Sequence, residues 1–334
     1  MSLHTFIKVW YSEFEVIKLK ILKRTLVGVV LLILILMSGL IVNNILQTNS
    51  ELDNVEETGE RIRTEYGDYH VHTQGEGTPI IFLSGLGTTS PYYDFNPLID
   101  NLDDDYKIIV IEKPGYGYND STTKDKSLDT VVNGLQAVTN AINIAEPYTI
   151  MAHSMGALEA MHWAQKSPSS IDQIVALDPA IAPMILKKHT ATPNVVERNL
   201  QYLIGRLGVS RFMDETALKE VLPVLNYDGF SAHEEETIQA HFHANMFNRN
   251  IIREMKQLYN NAKIIDNSAV PSDTPILVLL SQENLDSNDH AEDIFNEYFA
   301  DFAIVETRTL PTNHYIYHEY HDEIIEYFND FTAE

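Results

Sequence analysis

One serine stands between an apolar run and an alanine-rich run in the stretch TIMAHSMGALEA, from Thr149 to Ala160. A serine on a sharp strand-to-helix turn holds its hydroxyl above the strand ends, and the residues two before and two after it must be small to avoid a clash. Here Ala152 and Gly156 fill those positions around Ser154, so the pattern is A-x-S-x-G, in which alanine still meets the steric requirement. Such a serine becomes a nucleophile when an adjacent base takes its proton and a third group orients that base. A histidine is available in LPTNHYIYHEY, where His314 follows the last strand-like run, which makes it the candidate general base. Two aspartates compete for the third role: Asp178 in IVALDPA, at the end of one apolar run, and Asp286, just beyond another.

A hydrolytic serine also needs donors for the oxyanion that develops during attack. IIFLSGLGTTSPYYDF ends a strand-like run in small residues, so the Leu86 N–H is the expected first donor and the N–H of Met155, directly after the serine, the second. EKPGYGYND places Gly115 and Gly117 in a tight turn after another strand.

The elements needed to position these groups are legible in the hydropathy pattern. PIIFLSG, YKIIVIE, YTIMA, IDQIVALD and PILVLLS are short apolar runs of the kind found in buried parallel strands. Helical spacing between them, with Leu128, Val131, Val132, Leu135, Val138 and Ile142 on one face, gives a β-α-β alternation and hence a parallel sheet covered on both faces. The rhythm breaks over about residues 180–262, where Met184, Phe212, Met213, Met246, Phe247 and Met255 lie among polar residues. A helical insertion is expected there. The alternation then resumes, with a helix near His290–Phe299, a strand over Phe302–Leu310 and a terminal helix carrying Ile324, Ile325, Phe328 and Phe331.

Taken together, these motifs make the chain resemble the α/β-hydrolase superfamily. SGLG stands where that family has its oxyanion segment, PGYG is in its usual place, AHSMGA corresponds to the nucleophile elbow, and NHYIYH surrounds the histidine. The resemblance spans roughly Glu65 to Phe331, and its helical insertion falls where the family carries a cap; the chain looks most like the small cap-bearing bacterial hydrolases related to esterases and lipases. It implies an α/β-hydrolase fold and a Ser-His-Asp triad acting through an acyl-enzyme, on a carboxylic ester or a related acyl bond. It does not fix the substrate. The family usually has G-x-x-D after the penultimate strand, whereas this chain has Ser281-Gln282-Glu283-Asn284. That departure leaves Asp178, a position from which some lipases supply their acid, preferred over Asp286. An amidase or aminopeptidase of the same fold, or an inactive binding module, are the alternatives. An aspartate nucleophile, as in epoxide hydrolases, is excluded at position 154. The methionine-containing cap suits a modest-sized, partly apolar acyl or alcohol group, although the same methionines could simply be cap core.

Composition sets the remaining limits. The 334 residues contain no cysteine, which removes disulfides and cysteine chemistry, and a formal charge of −25 disfavours nucleic acid as a partner. His314, His318 and His321 are spaced closely enough to suggest metal ligands. No H-E-x-x-H is present, and HEEET from His233 fails at its last position, so no metal and no cofactor are expected. His318 and His321 are expected at the exposed start of the last helix.

The first fifty residues are of a different character. LVGVVLLILILMSGLIV, from Leu26 to Val42, is uncharged, and NNIL extends it to Leu46, which is close to the ~20 residues a helix needs to cross a bilayer. Residues 1–24 carry five basic and two acidic side chains, while Glu51, Asp53, Glu56 and Glu57 follow the span. The basic side should stay in the cytoplasm, which puts the larger domain outside the cell membrane as a single-pass protein. The expected layout is a basic segment over 1–24, the span over 25–46, a tether of limited structure over 47–63, and the hydrolase domain over 64–334. Phe6 to Arg24, which mixes aromatic and basic residues, could lie along the inner leaflet.

Overall fold

The computed structural model describes residues 3–187, 194–266, 273–287, 289–300, 302 and 304–333. Eight strands form one sheet: β1 (Glu60–Thr64), β2 (Gly67–Gln74), β3 (Thr78–Leu83), β4 (Tyr106–Glu112), β5 (Tyr148–His153), β6 (Ile171–Leu177), β7 (Ile276–Ser281) and β8 (Val305–Leu310). Their spatial order is β1-β2-β4-β3-β5-β6-β7-β8. β1 and β2 join antiparallel, and β2 joins β4 antiparallel; every later pairing is parallel. The apolar runs become the middle of the sheet because helices cover it on both sides, so β5 and β7 are buried at every residue.

On one face lie α3 (Leu128–Ala141), α4 (Gly156–Lys166) and α11 (Ala291–Phe299), with Leu135, Trp163 and Phe295 in the core they form. The other face is covered by α2 (Pro91–Ile99) and α13 (His321–Ala333), which contribute Phe95, Phe328 and Ile324. α4 can approach the sheet only because Gly156 has no side chain: a Cβ there would lie 2.5 Å from the Leu83 carbonyl oxygen. Between β6 and β7 the chain leaves the sheet for α5 (Ala182–Lys187), α6 (Val195–Arg206), α7 (Glu215–Val221), α8 (Ala232–Asn245) and α9 (Arg249–Asp266). This is the helical cap expected from the break in rhythm.

The N-terminal helix α1 (Leu3–Leu52) is a single unbroken element. Within its stretch from Ile17 to Leu52 the most apolar window of 18 residues has a mean hydropathy of 2.9 and none of it is buried, so the helix is long and apolar enough to cross a membrane. The expectation of limited structure over 47–63 is corrected here. The helix continues to Leu52, and β1 begins at Glu60. The reason is a set of tertiary contacts. Asn44, Thr48 and Glu51 share one helical face, and Arg211 of the cap binds all three: its fork holds the Glu51 carboxylate at 2.6 and 2.9 Å, with Asn44 Oδ1 at 2.7 Å and Thr48 Oγ1 at 2.8 Å. Asn44 also donates to the carbonyls of Gly205 and Arg206, and a Cβ at Gly208 would strike the Asn44 side chain. The reading of Phe6–Arg24 as an amphipathic lead-in rests largely on side chains that lie outside the described residues.

Candidate active site

Ser154 occupies the turn between β5 and α4 with φ +50°, the left-handed region that L-residues with side chains seldom enter. Three hydrogen bonds hold it there. The Ser154 N–H donates to the Leu177 carbonyl at 3.0 Å, and the Ser154 carbonyl accepts from the N–H groups of Ala157 (3.1 Å) and Ala180 (3.0 Å). The small residues serve this geometry: a Cβ on Gly85, in the loop after β3, would come within 3.0 Å of Ser154 Cβ. That loop also contains Leu86, and Met155 opens α4 immediately after the serine. Among the described residues, neither the Leu86 nor the Met155 N–H is bonded to a protein acceptor.

The structure brings His314 and Asp178 together and leaves Asp286 apart. Asp178 follows β6, is fully buried with φ +42°, and its Oδ2 lies 2.5 Å from His314 Nδ1. The same carboxylate accepts from the Ser281 N–H (2.7 Å), the Ser281 hydroxyl (2.9 Å) and the Asn284 amide (3.2 Å). Asn284, standing where the family usually has an aspartate, thus supports the carboxylate at the end of the neighbouring strand. Asp286 is an exposed residue of α10 (Gln282–Asp286), and its Oδ1 accepts from Gln282 Nε2.

The loop carrying His314 is held from both sides. Its N–H donates to Glu283 Oε2 at 2.9 Å, and its carbonyl lies 3.1 Å from Nε2 of His153. The His314 ring itself is 41% exposed. Behind it lies a network that the sequence reading did not identify. Tyr317 donates its hydroxyl to Asp94 Oδ2 at 2.5 Å and lies 3.3 Å from His153 Nδ1, while His318 Nε2 is 3.2 Å from Asp94 Oδ1. His318 therefore departs from the expected exposed helix start: it belongs to α12 (Ile316–Glu319), and its side chain is largely buried against Asp94. His321 opens α13 and is half-buried beside Asp322. Among the described residues, no group of His, Asp or Glu side chains is arranged to hold a metal ion.

Away from Ser154, a serine-histidine contact, Ser90 Oγ to His241 Nδ1 at 2.8 Å, ties the start of α2 to the cap helix α8. Its geometry suits adhesion better than attack. Both residues are buried, Ser90 is at an ordinary extended φ of −144°, and no carboxylate is hydrogen-bonded to His241 among the described residues.

Burial decides the charge of these histidines. Burial, reinforced by the neighbouring His314, pushes His153 down to about 3, and burial lowers His241 to about 4. In the unfolded chain both would take up protons near pH 6.5. Between 6.5 and 4 the unfolded state therefore binds more protons, so stability is full above that window and is lost as the pH falls through it. Each group contributes a slope of up to about 1.4 kcal/mol per pH unit. Asp94 acts in the same direction: although burial opposes its ionised form, donation from His318 and Tyr317 leaves its pKa lowered. The urea midpoint is expected to be clearly lower at pH 5 than at pH 7, and His241→Asn should narrow the gap. An equal midpoint at the two pH values would contradict the burial of neutral imidazoles.

Two cavities flank the His314 loop. One, of 240 Å³, runs from Leu86 and Thr88 to Val224, Phe242, Met255 and Tyr315, between the loop after β3 and the cap. The other, of 450 Å³, is lined by Asp178, Ala180, Met184, Ile185, Phe295 and His314. Both are lined largely by aliphatic and aromatic side chains, and in the larger one Asp178, Glu283 and Asn284 join His314 among them, as in sites for small organic ligands.

A strained serine at a strand-to-helix turn, a buried aspartate on a histidine and a cap inserted after β6 define a class of fold, and sequence comparison agrees with it. The chain belongs to the α/β-hydrolase family, whose model, described as the alpha/beta hydrolase fold, matches residues 78–319. Over nearly its full length it is similar to YbdG, an uncharacterized protein of Bacillus subtilis (strain 168), at 26% identity over 311 residues, covering 91% of this chain and 95% of that one. Among solved structures, an epoxide hydrolase of Vigna radiata shares the fold with a TM-score of 0.64 at 14% identity, covering 84% of this chain and 98% of the other. A carboxylesterase of the thaumarchaeon Nitrososphaera gargenis matches with a TM-score of 0.57 at 14% identity, over 82% and 98% of the two chains. At such identities these structures speak for the fold alone.

Proposed function

We propose that the protein is a membrane-anchored serine hydrolase that cleaves a carboxylic ester through an acyl-enzyme. The observation that carries this reading is the 2.5 Å contact between His314 Nδ1 and the buried Asp178 carboxylate, in a chain whose one elbow residue in the left-handed region, Ser154, is a serine. In this reading Asp178 fixes the imidazole so that Nε2 is free to act on Ser154. The serine oxygen attacks the acyl carbon, His314 takes its proton and delivers it to the departing alcohol, and the N–H groups of Leu86 and Met155 hold the oxyanion. Water, deprotonated by His314, then attacks the acyl-enzyme and releases the acid and the free serine. No metal or cofactor enters this scheme. α1 fixes the domain to the cell membrane with the basic N-terminal segment in the cytoplasm and the hydrolase outside.

The test is covalent labelling of the full-length protein with a fluorophosphonate probe. Wild type is expected to label rapidly and Ser154→Ala not at all. A folded wild-type protein that fails to label, or a Ser154→Ala variant that labels equally, would sink the proposal.

A further inference from the structure

The cap carries a helix that it does not bury. α6 contains Val195, Val196, Leu200, Leu203 and Ile204, yet none of its twelve residues is buried, and Val196 and Leu200 are 75% and 54% exposed. Just beyond it Phe212 is 74% exposed. Single exposed apolar residues are ordinary, whereas a cluster on one amphipathic segment marks an interaction surface.

Its position says what that surface meets. The end of α6 is fixed to α1: Asn44 donates to the carbonyls of Gly205 and Arg206, and Arg211, beside Phe212, grips Asn44, Thr48 and Glu51. Asn44 lies just past the apolar run from Leu26 to Val42, where a spanning helix passes from hydrocarbon to headgroups. Leu200 is five residues from Gly205, about 8 Å along the helix. The charge of α6 is also suitable. In a chain of formal charge −25, this helix has Arg198 and Arg206 against the single acid Glu197, and amphipathic helices with basic polar faces lie in the interfacial plane of anionic bilayers.

The interior is laid out to match. A cavity of 690 Å³ opens between α1 and the cap, where Ile45, Leu52 and Tyr202 line it beside polar and charged groups such as Asn44, Arg61 and Arg249. Met246 and Phe247 line both this cavity and the 240 Å³ cavity beside Leu86, so the turn between α8 and α9 forms part of the wall of each. Phe247 holds a φ of +51° in that turn.

From this placement we infer that the α6–Phe212 face rests in the outer leaflet of the membrane that α1 spans, and that the enzyme takes its acyl substrate, a lipid-borne ester, from that leaflet. The inference rests on the anchored-hydrolase reading above and names its substrate class.

The chain has no native cysteine, so single cysteines can report on it cleanly. Full-length Leu200→Cys and Phe212→Cys, labelled with an environment-sensitive fluorophore in vesicles of phosphatidylcholine and phosphatidylglycerol, are expected to show a blue-shifted emission quenched by nitroxide-bearing lipids. Glu292→Cys on α11 should show neither. Equal quenching at all three positions overturns the docking, and this readout does not depend on catalysis. In the second arm, Leu200→Glu/Phe212→Glu is expected to keep its turnover of a short water-soluble ester while losing roughly tenfold on a long-chain acyl ester embedded in the same vesicles, equivalent to about 1.4 kcal/mol. Unchanged vesicle turnover overturns delivery from the leaflet. Absence of turnover on both substrates by wild type counts against the hydrolase reading, while the quenching still decides the docking.

Discussion

Asp178→Asn is expected to lower the turnover of an ester substrate by about four orders of magnitude, whereas Asp286→Asn leaves it near the wild-type value. The amide has almost the shape of the carboxylate, but it puts a donor where four donors already converge: His314 Nδ1, the Ser281 N–H, the Ser281 hydroxyl and the Asn284 amide. The imidazole then loses the group that fixes its tautomer and stabilises its charged form during proton transfer. Asp286 is exposed on α10 and its Oδ1 accepts from Gln282, so its replacement touches nothing near the histidine. The measurement is steady-state turnover with folding checked by circular dichroism. Equal losses in both variants, or none in Asp178→Asn, would refute the proposed triad. Asn284→Ala provides an intermediate case, because it removes one of the supports of the Asp178 carboxylate and leaves the charge in place.

The sequence shows why Asp178 and Asp286 could both be entertained. Short apolar runs such as PILVLLS reveal a buried strand locally, and the small residues around Ser154 reveal an elbow locally, because both patterns express constraints acting within a few residues. The choice of acid depends on which strand end faces the histidine loop. Asp178 is held at that strand end by Ser281 and Asn284, more than one hundred residues further along the chain. The Asp94-Tyr317-His153 network was hidden for the same reason, since its members come from α2, α12 and the end of β5 and have no common spacing. The length of α1 escaped notice because Gln47–Leu52 is polar; its helicity is secured by Arg211, 160 residues further along the chain. What was legible was what neighbouring residues impose on one another.

The turn KPGYG shows how far such distant contacts reach into the site. Lys113, buried just past β4, donates to Glu159 Oε1 of α4 at 2.6 Å and to the Ser84 carbonyl at 3.3 Å, at the start of the loop after β3. Tyr116 accepts from the Gly87 N–H in the same loop and donates to Glu254 of the cap, which also pairs with Lys126 at 3.2 Å. Burial disfavours the Lys113 ammonium, but Glu159 and Glu254 outweigh it and its pKa is raised. Lys113→Met removes that ammonium and strands the Glu159 carboxylate, whose Oε2 already has no hydrogen-bond partner among the described residues. A loss of about 3–5 kcal/mol is expected in denaturant unfolding. Lys113→Met/Glu159→Leu should regain most of it, because two apolar side chains replace the pair without leaving a charge behind. If the double variant is no more stable than the single one, burial of the charge is not the cause of the loss. If it regains stability but turns over ester far more slowly than wild type, then the pair acts on the chemistry by holding the Ser84–Gly87 loop, and the charged network joins the cap, that loop and the elbow helix as one positioned unit.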